Sequence, residues 1–430
     1  MIDPATILLG TATGVAAKVA TNRLTALATH ALERKLNDDD AQSLMRVEAT
    51  RANPLLIEYL EYQLAVSPLR ILGKELSLMT RTLDSGDLTI PVCEVSFGDN
   101  IELSKIESLV VNRLPNWEES KFVQLRNRLS SRSIDDKTLF GLKSIVDNGN
   151  GIRITGSLTT YGSALATQDA IEWELLTAFA DQIMTNGMDA PFADIRHSLD
   201  KRETIEERCS GNMFDGSLEH MGLAISTTVV FSRDNGRHGV MFGRRSADTA
   251  AHPSLFHVIP AGMFQPELGE PRNEWNVLHN VLKEYGEELY NNAIDRSASD
   301  WKYFYRDWHG VAWLLEGLEL GHCEFQITGL VLNMLNLRPE ICSLLLVRNE
   351  DWWNRKPTIK TNWEYANKQD IVDEIGMARS ELSLDNAEVE FEKMFGCASG
   401  EWVASGLAAL WLGIDAARTA LEIERPTSGN

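Results

Sequence analysis

The sequence predicts an α+β protein, and three observations carry that reading. Apolar residues recur at helical spacing up to about residue 85, strand-like and helix-like stretches mix over about 88–200, and from Gly222 a β-rich pair of segments leads into an amphipathic helix. At about 100–200 residues per domain, 430 residues suggest two or three domains. We divide the chain into a helical N-terminal region (1–87), a small α/β supporting subdomain (88–205) and a C-terminal domain (206–430).

In the first region Leu24, Leu27, Ala28, Ala31 and Leu32 mark one helix face, and Asn37-Asp38-Asp39-Asp40 interrupts it. Asn53-Pro54 reads as an N-cap followed by proline at the first helical position, and Leu56, Leu60 and Leu64 line the next helix. These helices carry no basic face, so residues 1–85 read as a bundle or arm, with a homo-oligomer or protein partner as the functional alternative. The first residues lack a basic stretch, and Lys18 interrupts the apolar run. They predict neither a secretory leader nor a membrane span.

Leu88–Val92 and Gly151–Thr155 predict strands in the second region, and Ile171, Leu175, Ala178 and Phe179 predict a helix. Asn186-Gly187 is a turn signal. No catalytic spacing occurs here. The polar stretch 201–220 is the best linker.

Leu223–Phe231 and Gly239–Phe242, joined by Arg233-Asp234-Asn235-Gly236, predict a hairpin that ends in Arg244-Arg245. A loop passes through Pro260-Ala261-Gly262 to a helix from about Glu274 to Asn291. Strands follow near Cys323–Leu330 and Ile341–Val347. A last helix spans about Ser405–Leu421, where Gly406, Ala408, Ala409, Ala416 and Ala417 allow close packing.

Composition narrows the function. Lys and Arg number 41 against 62 Asp and Glu, giving a net charge of −21. A field of that sign opposes nonspecific contact with nucleic acid or anionic lipid. The five cysteines (Cys93, Cys209, Cys323, Cys342, Cys397) show no CxxC spacing, which argues against a zinc site or disulfide scaffold and fits a reducing cytoplasm.

The helix near 280 carries the chemistry. Trp275, Leu278, Leu282, Tyr285 and Leu289 fall on one narrow stripe, which predicts the face laid on a sheet. Glu284, Glu287 and Glu288 share roughly the opposite side. Like charges at i, i+3 and i+4 repel by a few tenths of a kcal/mol per pair on an exposed helix. A hard cation such as Mg²⁺ reverses that penalty. The bland alternative is a solvated acidic face.

Lys283-Glu284-Tyr285-Gly286-Glu287-Glu288-Leu289-Tyr290-Asn291 resembles the core of the Nudix signature Gly-x5-Glu-x7-Arg-Glu-U-x-Glu-Glu-x-Gly-U, in which U is aliphatic. Pro260-Ala261-Gly262 resembles the Pro-Gly-Gly that opens the Nudix loop, and the hairpin ending in Arg244-Arg245 resembles the preceding strand pair. The chain departs from the signature at Lys283, which replaces arginine, and at Tyr290, which replaces the closing glycine. About seven extra residues separate Gly262 from Lys283 and leave Glu267 and Glu270 as rival early glutamates. These departures resemble a divergent group of large bacterial Nudix-like proteins.

The resemblance covers about 222–350 and implies several things. It implies an α/β/α sandwich with a mixed sheet. It implies Mg²⁺, with Mn²⁺ as the substitute, held by Glu284, Glu287, Glu288 and the Gly262 carbonyl. It implies Arg244, Arg245 and Lys283 as contacts to a nucleotide-derived small molecule, and a pyrophosphohydrolase acting on nucleoside-diphosphate-linked metabolites. The alternatives are a non-catalytic nucleotide sensor and a structural protein assembled through its N-terminal helices. Trp308, Trp352 and Trp353 read first as packing residues and second as base-stacking ones. His252, His257 and His309 read as structural.

Overall fold

The computed structural model describes residues 50–51, 54–66, 70–71, 74–75, 77–83, 86–96, 101–112, 136–147, 151–186, 195, 198–200, 221–233, 236–246, 249, 252, 255–294, 304–308, 310–350, 364–365, 381–396 and 401–423. The expected helix before residue 40, Gly187, the linker at 201–220, His309, Trp352 and Trp353 lie outside the described residues.

Helix α1 (Pro54–Val66) opens on the expected proline and buries Leu56, Tyr59 and Leu60. After two short paired strands, β1 (Arg70–Ile71) and β2 (Lys74–Glu75), the chain departs from the helical expectation. Residues Ser77–Leu83 form strand β3, antiparallel to β4 (Gly86–Ser96). Met79 and Leu83 are buried while Thr80 is exposed, the alternation of a pleated strand. The boundary drawn at 87/88 therefore falls within this hairpin.

Strands β5 (Ile101–Asn112), β6 (Thr138–Asp147) and β7 (Ile152–Thr160) make a separate sheet in the order β5-β7-β6. Helix α2 (Tyr161–Asn186) follows directly, and its Ile171, Leu175, Leu176 and Phe179 are buried in one core with Phe140, Ile154 and Leu158.

The expected hairpin is present as β8 (Ala224–Ser232) and β9 (His238–Arg244). Short β10 (Phe256–Val258) extends β9, and β11 (Ala261–Met263) pairs with the start of β8. Next come α3 (Pro271–Glu274), α4 (Val277–Tyr290), α5 (Val311–Glu319), β12 (Cys323–Asn333), β13 (Arg338–Val347), β14 (Glu381–Ser383), α6 (Ala387–Phe395) and α7 (Ala404–Ala420). The large sheet runs β10-β9-β8-β13-β12-β4-β3, with β11 on β8 and β14 on β9. The β13–β8 pair is parallel and its other pairs are antiparallel, so the sheet is mixed.

Period-two alternation sends side chains to two faces of this sheet. Val229, Phe231, Met241, Leu345 and Val347 pack with Leu282, Tyr285 and Leu289 of α4 and Val311 and Leu314 of α5. Val230, Val240, Phe242, Leu344 and Leu346 pack with Phe391 of α6 and Leu407, Leu410 and Trp411 of α7. Helices thus cover both faces. The small residues of α7 permit the close approach: a Cβ on Gly413 would lie 2.3 Å from Thr228 Cβ. No helix among the described residues is long and apolar enough to cross a membrane.

Candidate functional site

The site is built from one helix and the turn before it. Helix α4 starts at Asn276, whose side chain accepts the His279 N–H, an N-cap that satisfies an otherwise orphaned donor. It ends at Asn291, which takes the left-handed conformation (φ 53) and donates to Glu287 O. Asparagine tolerates that conformation, so the helix closes without the glycine that Tyr290 replaces. The Tyr290 ring instead covers Gly310, where an added Cβ would come within 2.4 Å of it.

The expected apolar stripe is divided. Leu282, Tyr285 and Leu289 are buried against the large sheet. Trp275 lies before the helix and stacks on Phe264 (4.8 Å between centroids) in the core shared with β6. The polar side is not a solvated face. Glu284, Lys283 and Glu288 are 7 %, 1 % and 0 % exposed, and Glu287 alone of the acidic set is half-buried.

The carboxylates of Glu284 and Glu288 rest on consecutive residues of β11. Glu288 Oε2 accepts the Ala261 N–H at 2.9 Å. Glu284 lies over Gly262, where an added Cβ would meet its Cδ at 2.5 Å and its two oxygens at 2.7 and 2.8 Å. Only glycine leaves room for that contact. One helical turn separates the two glutamates, and β11 runs beneath them, pinned by its pairing with β8.

The loop between β11 and α3 brings a further carboxylate in. Glu274, fully buried, accepts the backbone N–H groups of Glu267 (2.7 Å), Leu268 (3.0 Å) and Gly269 (2.6 Å). Burial pushes its carboxyl up, but a His279 contact and these three donors outweigh burial and hold it below its ordinary range. The folded loop places Glu267 Oε1 3.5 Å from Lys283 Nζ and 3.8 Å from Lys137 Nζ. Lys283 Nζ also lies 3.1 Å from Glu284 Oε1. Of the two rival glutamates, Glu267 is the one paired with Lys283.

Of the two arginines, Arg245 faces this cluster and Arg244 is exposed. They alternate across the strand end, which places Arg244 in solvent over the Phe256 ring and turns Arg245 inward. Arg245 Nη2 pairs with Glu364 Oε2 at 3.1 Å. Residues Glu364 and Tyr365 were not foreseen. Tyr365 bridges to Arg245 through the backbone, and its hydroxyl donates to Glu288 Oε1 at 3.2 Å.

Charge is crowded here. Burial, then Glu284, pushes the Glu287 carboxyl up to about 8. Burial, then Glu364 and Glu284, raises Glu288 well above the carboxylate range. Glu284 is also raised, by burial more than Lys283 lowers it. Burial opposes charge on Lys283 and Arg245, yet the facing carboxylates outweigh it and both are raised. Five carboxylates (Glu267, Glu284, Glu287, Glu288, Glu364) thus face Lys283 and Arg245, with Lys137 at the rim.

A divalent cation drawn to this cluster would meet the carboxylate oxygens of Glu284, Glu287 and Glu288. The all-oxygen, anion-rich set suits Mg²⁺. Among the described residues no three His, Cys, Asp or Glu side chains already stand as a cation cage. Glu284 is turned to Lys283, and each Glu288 oxygen accepts a protein donor.

Trp308 and His257 each pack against a glycine. Trp308 lies against Gly286, where an added Cβ would come within 2.4 Å of its ring. His257 is buried beneath Gly406, and burial lowers its pKa to about 4. Its Nε2 lies 3.9 Å from Glu340, which pairs with Arg338 at 2.9 Å. No family model matches the chain, and no curated protein matches it.

Proposed function

We propose that this chain uses Mg²⁺ to hydrolyse a nucleoside-diphosphate-linked metabolite at the helix–strand junction of α4 and β11. The observation that carries the reading is the seating of Glu284 and Glu288 on Gly262 and Ala261. It joins the two halves of the Nudix resemblance, the glycine turn and the glutamate helix. The excess of buried carboxylates supports it, because an uncompensated buried charge is costly and a cation removes the cost.

In this reading Glu284, Glu287 and Glu288 hold the ion, with the Gly262 carbonyl as a fourth oxygen. The ion supplies charge neutralisation for a diphosphate and an acidified water. Lys283, itself paired with Glu267, holds Glu284 over the turn. Arg245, whose charge acts on Glu288, is the side chain suited to a bidentate diphosphate contact. Engaging it there requires exchange of its Glu364 partner.

A non-catalytic nucleotide sensor is the second reading. Its support is the internal pairing of Glu284 and Glu288 with protein donors. One experiment separates the two. The full chain is incubated with Mg²⁺ and ADP-ribose, NAD⁺, dinucleoside polyphosphates, UDP-sugars or nucleoside triphosphates. Hydrolysis lost in Glu287→Gln and Glu288→Gln supports the enzyme. A raised melting temperature without turnover supports the sensor. No response to metal or nucleotide removes both.

A further inference from the structure

We infer that Tyr365 is a positioning residue of the cation site, acting through Glu288. The inference rests on the reading of Glu288 as a cation ligand and adds what aims that carboxylate.

A buried carboxylate has two oxygens, each able to accept from two directions. Glu288 Oε2 is fixed by the Ala261 N–H and Oε1 by the Tyr365 hydroxyl. One donor on each oxygen fixes the plane of the group and leaves a second acceptor direction on each. Without the hydroxyl, Oε1 has no fixed donor among these contacts, and the Ala261 N–H on Oε2 is left to set the plane of the carboxylate by itself.

The tyrosine is itself held on several sides. Its ring packs where Gly243 has no side chain: a Cβ there would lie 3.1 Å from the ring. Its backbone bridges to Arg245, the neighbouring Glu364 pairs with the Arg245 guanidinium, and the Ser246 N–H donates to Glu364 O at 2.6 Å. The ring is 3 % exposed. Packing alone accounts for a buried aromatic here. It does not account for a hydroxyl aimed at a helix glutamate 77 residues away in sequence.

Partners that orient a ligand from behind are typically worth about 10–100-fold in metal affinity. Tyr365→Phe keeps the ring in its slot and removes the hydroxyl alone. Mg²⁺ is titrated calorimetrically into the full-length wild type, Tyr365→Phe and Glu288→Gln, and Mn²⁺ is followed by electron paramagnetic resonance. Thermal melts without added metal run in parallel. The expected result is a Mg²⁺ affinity about 10–100-fold weaker in Tyr365→Phe than in wild type, with the metal-free melting temperature nearly unchanged. Equal or tighter binding by Tyr365→Phe, beside a weakened Glu288→Gln, overturns the role of Tyr365 and leaves the cation site standing. Wild type that binds neither ion overturns the cation reading itself and this inference with it.

Discussion

The seating of Glu284 over Gly262 can be tested by filling the space between them. In Gly262→Ala the new methyl would sit 2.5 Å from Glu284 Cδ, against about 3.4 Å for the start of ordinary contact. The carboxylate must therefore retreat by about 0.9 Å. It cannot retreat freely, because Lys283 Nζ holds Oε1 at 3.1 Å and both groups are buried. Overpacking of this kind costs about 1–3 kcal/mol. The backbone itself accepts alanine, since Gly262 is not in the left-handed region, and the stiffer unfolded chain returns about 0.4–1 kcal/mol. The expected net loss is about 1–2 kcal/mol, read from denaturant midpoints at constant m-value. A double-mutant cycle with Glu284→Ala makes the cause specific. Once the carboxylate is gone the three atoms nearest the methyl go with it, so most of the cost of Gly262→Ala should vanish in that background. An equal cost in both backgrounds would refute the argument, and so would a Gly262→Ala protein as stable as wild type.

Four further outcomes follow from the packing and the charges. Leu282→Ala should cost about 2–5 kcal/mol, because Leu282 is buried between α4 and the sheet; a negligible loss would mean that α4 does not pack through this face. Glu274→Ala should leave three loop N–H groups without their acceptor, and amide exchange at Glu267, Leu268 and Gly269 should speed while exchange in α7 stays constant. His257 has a folded pKa of about 4 below an unfolded value near 6.5, so the unfolded state takes the proton first. Stability should fall as pH drops from about 6.5 towards 4, and chemical melts of His257→Asn should show a shallower fall. Glu287 has the opposite sign. Its folded pKa of about 8 lies above the unfolded value near 4.5, so metal-free stability should fall as pH rises through that window. Glu287→Gln should make that slope shallower, with Glu284 and Glu288 supplying the rest, and a slope unchanged by the substitution would show that Glu287 is not one of its sources.

Much of the fold was legible because period and turn chemistry are local signals. Helix α4, the β8–β9 hairpin, β12, β13 and α7 all lie where apolar spacing puts them. Strand β3 was missed because its partner β4 and the large sheet, rather than its own few residues, decide its conformation. The apolar stripe was extended one turn too far for a similar reason. Trp275 has helical spacing, but its ring is claimed by Phe140 and Phe264, which local spacing does not report.

The site shows the same division more sharply. Helix geometry grouped Glu284, Glu287 and Glu288, but it records only which residues share a side and not whether that side meets water. Lys283, Glu284 and Glu288 are buried because β11 and the Glu267 loop close over them. Strand alternation alone could have separated Arg245 from Arg244. Nothing local points to Glu364 or to Tyr365, which lies 77 residues beyond Glu288 and meets it only in three dimensions. Burial also changes what the glutamates mean. On a solvated helix their repulsion amounts to tenths of a kcal/mol and salt screens it. In this enclosed cluster, with five carboxylates against two enclosed cations, the same charges favour taking up protons, and in the reading proposed above Mg²⁺ would compete for them. The contest between those two fates makes Glu287, the least buried of the three, the residue whose protonation should respond most visibly when Mg²⁺ is added.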